Sequence, residues 1–193
     1  GQLQELIDLF NLGDFNSILV RIGALLTKFP RSKSLYNISG ASNAALGYYE
    51  DAIDNYNMAI KVAPTYPNTY YNMGVALYEQ GNLEAALSSY KNATKINPSY
   101  IQAYNNMGNI YKERGQLKDA LISYKRAIDI SGKYANGHNN CGIILKDMKH
   151  FDEAIKNFEK AIAIQPDHYD AHNNLGNTFQ EIGDYDSALA SYK

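Results

Sequence analysis

Tyr104-Asn105-Asn106-Met107-Gly108 is a phrase that this chain repeats. Thirty-four residues earlier stands Tyr70-Tyr71-Asn72-Met73-Gly74. Thirty-four residues later comes His138-Asn139-Asn140-Cys141-Gly142, and after the same interval His172-Asn173-Asn174-Leu175-Gly176. Tyr36-Asn37-Ile38-Ser39-Gly40 is a weaker copy ahead of them all. A fixed period of roughly 20 to 50 residues marks a repeat architecture, in which each unit packs only on its neighbours.

Working outward from the phrase divides the chain into a degenerate unit (1–32), four full units (33–66, 67–100, 101–134, 135–168) and an incomplete one (169–193). Each reads as two helices. In the first unit Leu3, Leu6, Ile7, Leu9 and Phe10 recur at helical spacing, Gly13 breaks the run, and a second apolar series ends at Pro30. Gly74, Gly108, Gly142 and Gly176 sit inside the first helix of their units, where glycine costs about 1 kcal/mol against alanine. A cost repeated at one phase needs a gain, and close helix approach supplies it. The small residues to match are Ala52, Ala86, Ala120, Ala154 and Ala188, with Tyr56, Tyr90, Tyr124, Phe158 and Tyr192 filling the space around them. Gly13, Gly47, Gly81, Gly115 and Gly183 fall where the first helix must end in a left-handed residue. Pro30, Pro64, Pro98 and Pro166 stop second helices, and Pro67 suits the first turn of the next helix. Gly132 and Gly137 near one junction are expected to loosen it.

Aromatic, small apolar, Gly, aromatic, Gly, Ala, aromatic, Ala, Pro at this phase resembles the tetratricopeptide repeat, strongly over 33–193 and weakly over 1–32. The resemblance implies an all-α, right-handed superhelical solenoid of helical hairpins: one array over 1–193. The paired-asparagine versions, NNMGN and NNLGN, look most like the arrays of O-GlcNAc transferases.

Little else points to chemistry. The net charge is −2, so nothing argues for nucleic acid or a membrane surface, and no apolar run reaches the length of a membrane span. Cys141 is the only cysteine and stands where Met73, Met107 and Leu175 stand, as a hydrophobe in a core slot. No phosphate-cradling glycine loop, zinc-protease helix or nucleophile elbow is present. His138 and His172 replace packing tyrosines. His168, Asp170 and His172 could be drawn as metal ligands, but His168 falls before the helix and no third ligand is obvious. The expectation is therefore no enzyme activity, no cofactor and no metal. Asn37-Ile-Ser and Asn92-Ala-Thr match the glycosylation sequon by chance, inside expected helices.

The resemblance also places the first helix of each unit on the concave face, with the second, fifth, sixth, ninth, twelfth and thirteenth residues of the unit exposed. The sixth holds Asn72, Asn106, Asn140 and Asn174; the fifth holds Tyr71, Asn105, Asn139 and Asn173. Asn109 and Asn177 stand at the ninth, and Tyr78 at the twelfth. An amide both donates and accepts, so such a row can grip the backbone of an extended protein or peptide segment. The alternative is that these amides satisfy neighbouring helices within the fold. Ile38, Ala41, Val75 and Tyr78 make one end of the face apolar, while Lys112 and Lys146 face Glu79, Glu113, Asp147, Asp170 and Glu181 toward the other. No basic residue stands at the second, fifth or sixth phase, which argues against the carboxylate clamp of chaperone-binding arrays.

A non-catalytic interaction scaffold is the reading this supports, in the cytoplasm. The chain stops partway through an expected second helix, which favours a fragment of a larger enzyme. The alternatives are thus the substrate-recruiting part of a glycosyltransferase or sulfotransferase, or a self-assembling scaffold. Leu175, Phe179, Tyr185 and Leu189 are expected to be partly uncovered at the incomplete end and to favour self-association.

Overall fold

The computed structural model describes residues 2–192, with side chains from residue 4 onward, so Gly1, Lys193 and the side chain of Leu3 lie outside it. The described residues form twelve α-helices and no strands. Residues 1–98 make one compact unit and 99–193 a second. The first holds α1 (Gln2–Asn11), α2 (Phe15–Lys28), α3 (Lys33–Ala45), α4 (Tyr49–Val62), α5 (Pro67–Glu79) and α6 (Leu83–Ile96). The second holds α7 (Ile101–Glu113), α8 (Leu117–Ile130), α9 (Ala135–Asp147), α10 (Phe151–Ile164), α11 (Tyr169–Ile182) and α12 (Tyr185–Ser191). Within each, consecutive helices pair as antiparallel hairpins, and the second helix of a hairpin packs on the first helix of the next. The all-α expectation holds.

From α3 onward, each hairpin is locked by one aromatic ring. A Cβ built on Gly108 would sit 2.5 Å from the Tyr124 ring, and one on Gly142 2.5 Å from Phe158. Gly40 meets Tyr56 and Gly74 meets Tyr90 in the same way. The glycine therefore admits the ring itself, sixteen residues on, rather than a facing alanine as the repeat pattern suggested. The alanines lie beside the contact, with Ala120 and Ala154 at 0% exposure. Phe158 also holds Leu145, Ala154 and Leu175. Leu175 is thus buried, against the expectation that it would be uncovered, because it packs on the preceding hairpin; Tyr185 and Leu189 do face solvent, at 71% and 61%. The first hairpin has no such ring and is held by Leu6, Ile18, Ile22 and Leu25 against Leu35.

Five inter-helix glycines have φ between +69° and +85°, the left-handed turn expected of them. The fifth hairpin, α9–α10, carries Lys149 there instead, at φ 65°. A side chain in this region costs roughly 1–2 kcal/mol, whereas glycine forfeits about 0.5–1 kcal/mol of chain entropy. Lys149 also pairs at the surface with Glu181, whose carboxyl it holds below the usual range by hydrogen bonding. We expect Lys149→Gly to be near neutral in dilute buffer and stabilising by up to about 1 kcal/mol once salt screens the pair. Denaturant melts across ionic strength would check this; a gain independent of salt counts against the pair.

Gly132 meets no atom within 4 Å, but Gly137 is buried beneath the Tyr134 ring, 2.5 Å from its would-be Cβ. This junction is therefore packed rather than merely loose. Asp14 and Asp184 cap α2 and α12 by accepting from Ser17 N and Ser187 N. Hydrogen bonds from those serines hold both carboxyls below their ordinary value. The unfolded chain then binds protons more readily, so this contribution is complete at neutral pH and lost as pH falls through the carboxylate range. Thermal melts at pH 7 and pH 3 should show a shallower acid decline for D14N/D184N than for the parent; identical declines would remove the capping account.

Candidate functional site

An amide in the middle of a helix is placed by its phase, and the first helices of the second compact unit bring three pairs into one series. Asn105 and Asn106 lie on α7, Asn139 and Asn140 on α9, Asn173 and Asn174 on α11. α9 and α11 touch directly. Asn140 Nδ2 donates to Asn105 Oδ1 at 2.9 Å, and Asn174 Nδ2 donates to Asn139 Oδ1 at 3.0 Å. Each bond joins the sixth residue of a unit to the fifth of the unit before. Asn105 Nδ2 lies 3.5 Å from Asn106 Oδ1.

Burial follows from this bonding. Asn139 is only 6% exposed, although the phase pattern put it on the open face. Asn105, Asn106, Asn140 and Asn174 are half-buried, and Asn173 is exposed. Asn109 and Asn177 accept from the hydroxyls of Tyr124 and Tyr192, each at 2.7 Å. Those two amides hold the ring that locks their own hairpin, a role that spacing alone did not reveal.

In the first compact unit the face differs. Asn37 Nδ2 donates to Lys33 O and its Oδ1 accepts from Thr69 Oγ1 at 2.9 Å. Asn72 joins Asn37, Ile38, Ala41, Leu6, Ile7 and Phe10 around a cleft of about 260 Å³. Tyr71 and Tyr78 on α5 are half-buried, and the Tyr71 ring lies 5.8 Å from that of Tyr90. Sequence reasoning marked Ile38 and Ala41 as apolar but missed that α1 supplies a wall; Ile7 and Phe10, at 41% and 37% exposure, were the available signal.

The fourth residue of the units has a structural job. Tyr36 and Tyr70 hydroxyls donate to Pro30 O and Pro64 O, at 3.2 and 3.1 Å. His138 Nε2 reaches Gly132 O at 3.3 Å and His172 Nε2 reaches Pro166 O at 3.0 Å. Histidine replaces tyrosine there because either can donate to the carbonyl six residues back. His168 caps α11: its Nδ1 accepts from Ala171 N, and Nε2 donates to Asn136 Oδ1 at 3.0 Å. Both nitrogens are engaged, and no three His, Cys, Asp or Glu side chains converge among the described residues. Burial pushes the Cys141 thiol up to about 12 despite the opposing Lys125 charge, so it is inert core beside Tyr124 and Ile144. No helix among the described residues is long and apolar enough to cross a membrane.

A family model described as TPR repeat matches residues 42–81, 76–113, 108–149 and 144–183. No curated protein matches the sequence. Among solved structures, pilF of Pseudomonas aeruginosa aligns at a TM-score of 0.84 and 14% identity, covering 98% of this chain and 86% of its own. MamA of Desulfovibrio magneticus RS-1, from residue 41 onward, aligns at 0.75 and 20%, covering 83% and 90%. YrrB, described as a TPR protein with an unusual peptide-binding site, aligns at 0.72 and 19%, covering 88% of each. At such identities the likeness establishes the fold.

Proposed function

The chain belongs to the tetratricopeptide-repeat family, and from that premise we propose that it is a non-catalytic scaffold binding an extended protein segment along its first helices. One observation carries this. Asn106, Asn140 and Asn174 recur half-exposed on α7, α9 and α11, where asparagine is a poor helix former. Asn140 and Asn174 each spend one N–H on the preceding unit, and the same amide still offers an oxygen and a second N–H to a ligand. The peptide-binding site named for YrrB supports the same use of the fold. In the first compact unit, Asn72, Tyr71 and Tyr78 would border the segment beside the apolar cleft.

Two narrower readings have their own support. The NNMGN and NNLGN units resemble those of O-GlcNAc transferase arrays, which favours a substrate-recruiting region of a larger glycosyltransferase or sulfotransferase. Tyr185, Leu189 and Tyr192, at 71%, 61% and 44% exposure, favour self-association through the last hairpin. The six units would act as one array, in the cytoplasm.

The test is a titration of the isotope-labelled chain with capped, extended peptides, followed residue by residue. Shifts should concentrate on α7, α9 and α11. N106A/N140A/N174A should weaken binding by about 0.5–1.5 kcal/mol per lost neutral hydrogen bond. Shifts confined to the second helices, or equal affinity for the triple variant, would overturn the groove. Sedimentation at rising concentration separates the self-association reading, and a strictly monomeric profile would remove it.

A further inference from the structure

The two inter-repeat amide bonds of the second compact unit have the same sense. In both, the sixth-position asparagine donates and the fifth-position asparagine of the preceding unit accepts, at 2.9 and 3.0 Å. Neither acceptor is loose, since Asn139 is buried and Asn105 also approaches Asn106. A primary amide has two ends of opposite hydrogen-bonding character. With one N–H of Asn140 or Asn174 bonded to its neighbour, turning the amide over would set oxygen against oxygen.

We infer that Asn105 and Asn139 are positioning residues, which fix Asn140 and Asn174 so that each holds its carbonyl oxygen and one remaining N–H in a single order. The ligand class follows, and this part rests on the peptide reading above. A fixed oxygen requires a donor opposite it. The second compact unit therefore takes a peptide stretch whose backbone N–H groups are intact opposite Asn140 and Asn174. Proline and N-methylated residues are excluded at those two places, whatever the side chains are. In the first compact unit Asn37 accepts from Thr69 instead, so Asn72 receives no such orientation from it.

The experiment uses the full chain, labelled with nitrogen-15, and reads side-chain amide signals without any ligand. The NH₂ protons of Asn140 and Asn174 should exchange about tenfold more slowly than those of exposed Asn173, as for a group held in one hydrogen bond. N105D/N139D keeps the acceptors and should keep the slow exchange. N105L/N139L removes them and should abolish it. Should the leucine variant fail to fold, the aspartate variant still decides, because a reversed order would free both amides there. Exchange in the parent as fast as at Asn173 would overturn the orientation.

The ligand class is read with a capped decapeptide of alternating glycine and serine, and with the same peptide N-methylated at every residue, so that no register offers an N–H. The parent should favour the first by about tenfold, the effect of one unpaired amide, and N105L/N139L should narrow the difference. Equal binding of the two peptides would overturn the ligand class. Slow amide exchange with no peptide binding would overturn the groove reading and leave the orientation standing.

Discussion

Phe158→Ala is expected to cost about 3–5 kcal/mol, because it empties the middle of a hairpin that cannot close over the gap. The ring is at 0% exposure and sits on Gly142, which has no side chain to move inward. Leu145, Ala154 and Leu175 line the rest of the void. In a repeat protein each unit draws its stability from itself and its neighbours, so the loss should centre on α9, α10 and α11. Denaturant melts give the magnitude, and amide exchange gives the place. A loss of less than about 2 kcal/mol would mean that the ring is not the wedge between the helices. Leu189→Ala, at a site 61% exposed, should stay within about 0.5 kcal/mol and serves as the control.

Gly108→Ala tests the same lock from the other side, where two effects oppose each other. Alanine is the better helix former by about 1 kcal/mol. The new methyl, however, would lie 2.5 Å from a Tyr124 ring that is fully buried. That ring cannot swing aside without breaking its hydroxyl bond to Asn109. Overpacking costs about 1–3 kcal/mol, and with both ends of the ring held the upper part of that range applies. The net expectation is a loss of about 1–2 kcal/mol. Gly23→Ala on α2, with nothing within 4 Å, should instead gain about 1 kcal/mol. If the two substitutions move the melting temperature in the same direction, close packing at Gly108 is not the reason for its glycine.

The period read from Tyr104 to Gly108 was enough to place helices, turns and the locking aromatics, because those depend on phase. What phase does not encode is partnership. Gly108 and Tyr124 are sixteen residues apart, and only the packed hairpin shows that one lies on the other rather than on Ala120. The asparagines show the limit most clearly. Asn105, Asn139 and Asn173 look identical in the sequence, yet they are half-buried, buried and exposed. An amide can serve a neighbouring helix and a ligand at once, so its position alone does not divide the two roles. Asn109 and Asn177 were placed with the groove for the same reason, while their oxygens hold tyrosine hydroxyls. Leu175 belongs to the core because the hairpin before it supplies the cover.

The glycine–aromatic lock joins residues sixteen apart within one hairpin, whereas the amide bond joins residues thirty-five apart in successive hairpins. These spans determine how such a chain can grow. Duplicating any whole hairpin from α3 onward copies its lock intact, so the new module brings its internal packing with it and needs only matching faces on its neighbours. The amide bond survives only if the copy lands beside a neighbour carrying asparagine at the matching place. Duplication within 99–193 would therefore lengthen the series of bonded amides in step. Inserting the Asn37–Ile38 hairpin among them would interrupt it, since Ile38 brings no donor.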